Sequence, residues 1–330
     1  MAERGGERML KREKLLWALF AGILAVLYLL SSTDLIIKEK KTEIYTVSVI
    51  ISDTSDECYG SFKKGVEQAA AEYNVDIRFI TLYEKGDSAQ QMEFLRREID
   101  DGTGAVILEP ADPAECRRLL DSFTPGSPVI VTGSLIHSDR AAACVSVDAS
   151  LAGRRLGEAV SRDGAPGRFV AVFTENLDYG SVRELYDGFL SALDGQNGEI
   201  CLYETSKGEH MEEAVRSLSS KGERAAVVAL DPSSTREAAK LLEEEPFYRE
   251  SVAALYGTGA TPALLNSLDQ GVIRGLLTSN AFDNGYLCVE QAVGAIRRQS
   301  IEAVILLDSY FIEKDDLRDR QYEKMLYPMS

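Results

Sequence analysis

Residues 47–75 read VSVIISDTSDECYGSFKKGVEQAAAEYNV, and their pattern decides the fold. The stretch opens within a β-branched run that predicts a strand over Ile44–Ser52. It then breaks into the polar segment Ser52-Asp-Thr-Ser-Asp-Glu57 and changes to helical spacing over Ser61–Glu72. A second apolar run, Val75–Thr81, follows directly. Strand, polar loop, helix and strand in that order form a βα unit of a parallel sheet.

The same alternation runs outward to nearly the end of the chain. Further strands are expected at Ala105–Glu109, Pro128–Thr132 and Val145–Val147. A second series is expected at Arg168–Phe173, Glu199–Tyr203, Ala225–Leu230, Val252–Tyr256 and Ile273–Thr278. Helical patterns lie between them at Ser88–Asp100, Leu151–Ser161, Val182–Leu193, Met211–Ser219 and Thr235–Glu244. Strands that are apolar throughout are covered on both faces, as in parallel sheets. Roughly ten such units exceed one comfortable open sheet, so the expectation is an α/β protein with two doubly wound, Rossmann-like lobes.

In open parallel sheets ligands bind beyond the carboxyl ends of the strands. Those ends are polar here: Ser52–Glu57, Glu109-Pro-Ala-Asp112, Thr132-Gly-Ser134, Thr174-Glu-Asn176, Asp231-Pro-Ser-Ser234, Gly257-Thr-Gly259 and Thr278-Ser-Asn280. Singly, each reads as a helix N-cap or a turn. Together, on both lobes, they make two facing rims of a cleft.

Composition restricts the partners. The 330 residues carry 36 Lys+Arg against 53 Asp+Glu, a formal charge of −17, which disfavours binding to nucleic acid. Residues 1–14 are rich in Arg and Lys, and Leu15–Leu30 is free of charge, with Ser31, Ser32 and Thr33 extending it. A transmembrane signal anchor over 15–33 is expected, with a cytoplasmic stub over 1–14 and a tether over 34–43. A cleaved secretory signal is the competing reading. Either places the remainder outside the cytoplasm. That remainder, residues 44–330, holds 28 basic and 47 acidic residues, so it is more acidic than the whole. The five Cys are scattered with no C-x-x-C, and read as small buried residues. The two His, His137 and His210, read as exposed or capping. No nucleotide, zinc-protease or hydrolase motif is present, so no catalytic residue, metal or cofactor is expected.

The order of these segments resembles the type I periplasmic binding proteins, the ribose-type sugar-binding group that also supplies the effector domain of the lac-repressor family. The resemblance rests on residues 47–75, on DSAQQMEFLRREIDDGTGAVILEPAD (87–112), PVIVTG (128–133) and VSVDASLAGRRLGEAV (145–160), and on SVRELYDGFLSAL (181–193) and GTGATPALLNSLDQGVIRGLLTSNAFDNGY (257–286). It implies a three-crossing hinge between a first lobe of 44–147 plus 280–306 and a second of 148–279 plus 307–330. The repressors' helix-turn-helix is absent, and the apolar segment occupies its place.

The resemblance also implies a ligand set. Asp56 falls on the family's polar position after the first strand, in a loop shared with Asp53 and Ser55, and Tyr59 on its stacking aromatic. Glu109, Asp148, Asp231 and Ser279 match later polar positions. The family's binding arginine position holds Leu185, and Arg183 is the nearest basic residue. Two usual carboxylates are replaced by Gly133 and Gly259, and the Asn before Asp231 by Leu230. These departures weaken a plain hexose or pentose binder and favour a cationic, amino-bearing or polyol ligand. The resemblance implies capture of a small polar ligand, sugar or sugar-like, for an ABC-type importer and its membrane permease complex. The alternative is a ligand-sensing partner of a membrane histidine kinase in two-component signalling. The C-terminal segment Leu317–Tyr327 is expected to pack on its own lobe.

Overall fold

The computed structural model describes residues 4–32, 44–163, 169–193, 198–220 and 224–328. Contacts divide the chain into a short N-terminal unit ending at Ile44 and a body beginning at Tyr45. In the first unit, helix α1 runs from Arg4–Ser32. Its described side chains begin with Arg12, Glu13 and Lys14, and the uncharged Leu15–Leu29 follows with its large apolar side chains exposed. Fifteen residues of α-helix rise about 22 Å, less than the roughly 30 Å of a hydrocarbon core. Among the described residues no helix is long and apolar enough to cross a membrane. The spanning helix expected over 15–33 therefore lacks support; its last residue Thr33, the tether 34–43 and residues 1–3 of the stub lie outside the described residues.

The strands of the body are β1 (Thr46–Ile50), β2 (Asp76–Ile80), β3 (Ala105–Leu108), β4 (Val129–Thr132), β5 (Ala143–Val147), β6 (Val170–Thr174), β7 (Ile200–Glu204), β8 (Ala225–Ala229), β9 (Val252–Thr258), β10 (Gly275–Ser279), β11 (Val304–Leu307) and β12 (Ser309–Ile312). They form two six-stranded sheets, ordered β11-β5-β4-β3-β1-β2 and β12-β10-β9-β8-β6-β7. Every neighbouring pair is parallel except β10 with β12. Leaving out the last-added strand, each sheet has the doubly wound order 2-1-3-4-5, which puts a topological switch point beside its first strand. The chain crosses between the sheets after β5, after β10 and again at Asp308, between β11 and β12. The two-lobe α/β architecture with parallel sheets is thus present.

The remaining helices are α2 (Gly60–Tyr73), α3 (Ser88–Asp100), α4 (Pro113–Ser122), α5 (Ala149–Arg162), α6 (Val182–Leu193), α7 (Met211–Ser220), α8 (Pro232–Glu244), α9 (Pro246–Ser251), α10 (Pro262–Asp269), α11 (Ala281–Ile296) and α12 (Arg320–Leu326). Both faces of each sheet are covered. In β3, Ala105 and Ile107 enter one core with Val66 of α2 and Val289 of α11, while Val106 and Leu108 enter another with Leu95 of α3 and Leu120 of α4. In β6, Ala171 and Phe173 face the α7–α8 side, and Val170 and Val172 face α5 and α6. Leu317, Met325 and Leu326 join the second-lobe core, so the C-terminal segment packs on its own lobe.

Several elements depart from the expected bounds. The first strand ends at Ile50, because the Ser52 amide turns to the Glu109 carboxylate at 3.1 Å rather than to a ladder. Arg168, expected to open the sixth strand, lies outside the described residues. The helices α4, α9, α10 and α11 and the strands β11 and β12 have no counterpart in the expected set, and α8 starts three residues earlier than expected. Of these helices, α4, α8, α9 and α10 begin with proline at the first turn. There the missing N–H costs nothing, so proline starts a helix instead of breaking one.

One packing device recurs in both lobes. A Cβ on Gly65 of α2 would lie 1.9 Å from the Phe282 carbonyl oxygen of α11, and one on Gly285 would lie 2.1 Å from that of Phe62. In the second lobe a Cβ on Gly153 of α5 would lie 1.9 Å from the Leu185 oxygen of α6, and one on Gly188 would lie 2.0 Å from that of Ser150. Each helix pair is backbone against backbone, and only glycine fits.

Candidate functional site

The carboxyl ends of the two sheets face each other across a cavity of about 300 Å³. Ser52, Asp53, Tyr59 and Glu109 line it from the first lobe, and Glu175, Tyr179 and Asp231 from the second. A second cavity of about 270 Å³, lined by Thr258, Ser279 and Ser309, adjoins it along Cys58, Leu185 and Pro232. These volumes lie near the lower limit for small-molecule sites.

The first-lobe rim is organised by Glu109. Its Oε2 accepts from the Ser52 amide at 3.1 Å, the Ser52 hydroxyl at 3.0 Å and the Tyr59 hydroxyl at 2.5 Å. Burial and the adjoining Glu109 carboxylate push the Tyr59 phenol well above the ordinary tyrosine range, so it stays a donor. The departure at Gly133 has its cause here. Gly133 adopts φ 74°, and a Cβ there would approach Glu109 Cγ to 3.0 Å, so an aspartate would both strain the backbone and crowd this glutamate.

The second-lobe rim is organised by Asp231. Its Oδ1 caps α8 by accepting from the Ser234 amide at 2.8 Å. Its Oδ2 accepts from the Ser234 hydroxyl at 2.8 Å, the Thr174 hydroxyl at 3.0 Å and the Glu175 amide at 2.8 Å. Four donors occupy the carboxylate, so it braces the rim.

Of the nine residues expected to hold ligand, the structure brings Asp53, Tyr59, Glu109 and Asp231 to the first cavity and Ser279 to the second. Ser55, Asp56, Asp148 and Arg183 line neither. Asp56 pairs with Lys63 at 2.6 Å, and that ammonium holds its carboxyl below the usual range. Asp148 caps α5 by accepting from the Leu151 amide at 2.8 Å. Arg183 turns to Asp178 on the exposed side of the first turn of α6. His137 and His210 are exposed.

Sequence reading missed Lys85, which follows β2 in LYEKGD (82–87). Its Nζ contacts the Glu175 carboxylate, Ser233 Oγ at 3.0 Å and Asp53 Oδ2 at 3.3 Å, joining the two lobes. Burial works against its charge, but Glu175, Asp53 and Asp231 outweigh it and raise its pKa. The available signal was that this loop is also a strand end on the same rim. Three more bonds cross between the rims: Tyr179 Oη donates to the Lys85 carbonyl at 3.3 Å, the Gly180 amide to that of Ala111 at 3.0 Å, and Ser181 Oγ to that of Gly133 at 3.0 Å, and Lys64 Nζ of the first lobe also donates to the Pro328 carbonyl of the second at 3.0 Å. The rims therefore touch beside the cavity. Among the described residues, two buried hydroxyls, Ser134 Oγ in the first cavity and Thr258 Oγ1 in the second, lack a hydrogen-bond partner. A buried hydroxyl in that state costs free energy that a bound polar group would recover.

Among curated protein sequences, none matches the chain. Solved structures match its fold. The chain resembles GanP, a glucose-galactose binding protein from Geobacillus stearothermophilus, at TM-score 0.74 and 21% identity, covering 84% of this chain and 99% of that one. An ABC transporter solute binding protein from Bacillus halodurans with bound myo-inositol matches at 0.71 and 21% identity, covering 85% and 98%. A complex of the TorS sensor domain with TorT, in the absence of ligand, matches at 0.72 and 18% identity, covering 87% and 98%. The periplasmic binding protein domain matches residues 47–300. The chain belongs to the periplasmic binding protein domain family.

Proposed function

We propose that this protein captures a small polar solute, sugar or sugar-like, in the interlobe cleft and delivers it to an ABC-type importer, without catalysis. The observation that carries this reading is the roughly 300 Å³ cavity with Tyr59 and Glu109 on one rim and Glu175 and Tyr179 on the other. Aromatic faces suit the C–H surfaces of a sugar ring, and carboxylates and hydroxyls suit its hydroxyl groups. Structural relatives with bound D-arabinose and myo-inositol support the ligand class. Contacts from both rims favour the closed state over an open one, through a hinge we place near 147/148, 279/280 and Asp308.

The uncharged run from Leu15 and the basic residues before it support an anchored body on the extracytoplasmic side, with its amino terminus cytoplasmic. A second reading, a partner of a membrane histidine kinase, is favoured by the likeness to the TorS–TorT complex. The two roles separate on function. An importer component raises uptake of labelled ligand in cells carrying the permease, and a sensor partner changes kinase autophosphorylation when ligand is added. For the shared reading, thermal unfolding is followed against sugars, polyols and amino sugars at millimolar concentration. A raised midpoint with one of them is expected. No shift with any would reject the small-solute reading.

A further inference from the structure

We infer that Lys85 determines the charge class of the ligand: its tethered ammonium fills a built cation position in the cleft, so the cleft rejects small amines and takes a neutral polyhydroxylated solute. The inference deepens the cleft reading above and rests on it.

The position is made by both lobes. Asp53 supplies a carboxylate from the first, and Glu175 and the Ser233 hydroxyl complete it from the second. Three acceptors around one nitrogen match the three donors of an ammonium group. The lysine is presented there by its backbone. Gly86 adopts φ 75°, and a Cβ on it would lie 2.3 Å from the Tyr179 ring, so the loop lies directly against that ring. Tyr179 Oη also donates to the Lys85 carbonyl.

A tethered group competes with a free one at an effective concentration of about millimolar or more. A free amine at ordinary solute levels therefore does not displace Lys85. Of the remaining acids, Asp231 is held by four donors and Glu109 by three at Oε2, which leaves Glu109 Oε1 as the open carboxylate oxygen, an acceptor for a ligand hydroxyl. What remains for a ligand is the Tyr59 and Tyr179 walls, the unused hydroxyl of Ser134 and acceptor oxygens, a set suited to hydroxyl groups. The acid surplus in the sequence suggested a cationic ligand, and Lys85 offsets part of that surplus from within, at Asp53 and Glu175.

The test is chemical rescue in the full-length protein. Lys85→Ala vacates the position. Addition of n-butylamine at about 10 mM is expected to raise the unfolding midpoint of Lys85→Ala by about 2 °C or more and to leave the wild type unchanged. n-Butanol, of similar shape and uncharged, is expected to raise neither. No amine effect on the variant, an equal effect of butanol, or an amine shift in the wild type would each overturn the inference. Should Lys85→Ala fail to fold, Lys85→Met keeps the aliphatic stem. The wild type also tests the inference directly: a solute whose amino analogue binds equally well contradicts it. Rescue needs no natural ligand, so the two readings fail separately. Amine rescue with no neutral solute bound removes the ligand assignment, and a neutral solute without amine rescue removes the role of Lys85.

Discussion

The two lobes share a plan and differ at the rim. Each has the same strand order around its switch point and one helix pair packed backbone to backbone at glycine, α2 with α11 and α5 with α6. At the rim, each lobe places an acidic residue where a ligand would meet it, and the two are used differently. Asp231 caps a helix and is surrounded by donors from two segments, the start of α8 and the end of β6, while Glu109 has a tyrosine beside it and, among the described residues, keeps Oε1 free of a hydrogen bond. Residue type alone does not separate a brace from a ligand group. The donors around it do.

The largest effects are expected where the lobes are alike. Gly65→Val and Gly153→Val each force a side chain into a backbone carbonyl, at a cost of roughly 3 kcal/mol. Denaturant unfolding of both variants measures it. A near-neutral effect in one would break the structural parallel. At the rim the lobes are expected to separate. Asp231→Ala removes a helix cap and leaves the Thr174 hydroxyl and Glu175 amide unpaired, so about 2–3 kcal/mol of stability is lost. Glu109→Ala frees the Ser52 amide and the Ser52 and Tyr59 hydroxyls into the cavity, where water can accept from them, so it costs about 1 kcal/mol of stability but weakens ligand binding, measured by titration calorimetry. Equal stability losses with unchanged affinity for Glu109→Ala would remove the distinction.

Acid stability sharpens the second lobe further. The Asp163 carboxyl is half-shielded, and burial alone would raise its pKa, but hydrogen bonds from Arg274 and Tyr256 depress it below the ordinary 3.8. Its contribution is present above that value and is lost as pH falls through the depressed one. Asp163→Asn should therefore lower stability near neutrality and narrow its gap to the wild type at the acid end. A pH-independent difference would contradict the assignment. The smallest effects are expected at Asp56 and Arg183, whose ion pairs are exposed. Replacing either with Ala should change stability by less than about 1 kcal/mol and leave ligand affinity unaltered.

The lobes were legible in the sequence because parallel strands covered on both faces are apolar throughout, and their spacing repeats. The bounds of α3 and α6 agree with the periodicity residue for residue. Helices α4, α9 and α10 were not legible, since proline marks a break in the pattern but here supplies the first turn. The site was legible as a rim, not as a set of contacts. Thr174 binds Asp231 across 57 residues and Lys85 meets Glu175 across 90, separations at which local pattern carries no information. Asp56 and Arg183 carry suitable chemistry, but each meets an opposite charge within seven residues and turns from the cleft.

The central claim is that the interlobe cavity binds a small neutral solute through the first-lobe rim. Titration calorimetry of wild type and Glu109→Ala with a panel of sugars and polyols tests it most directly. The account predicts saturable one-to-one binding of at least one solute by the wild type, and a loss of affinity in the variant of about tenfold or more. Binding with equal affinity in both proteins, or none by the wild type across the panel, would contradict it.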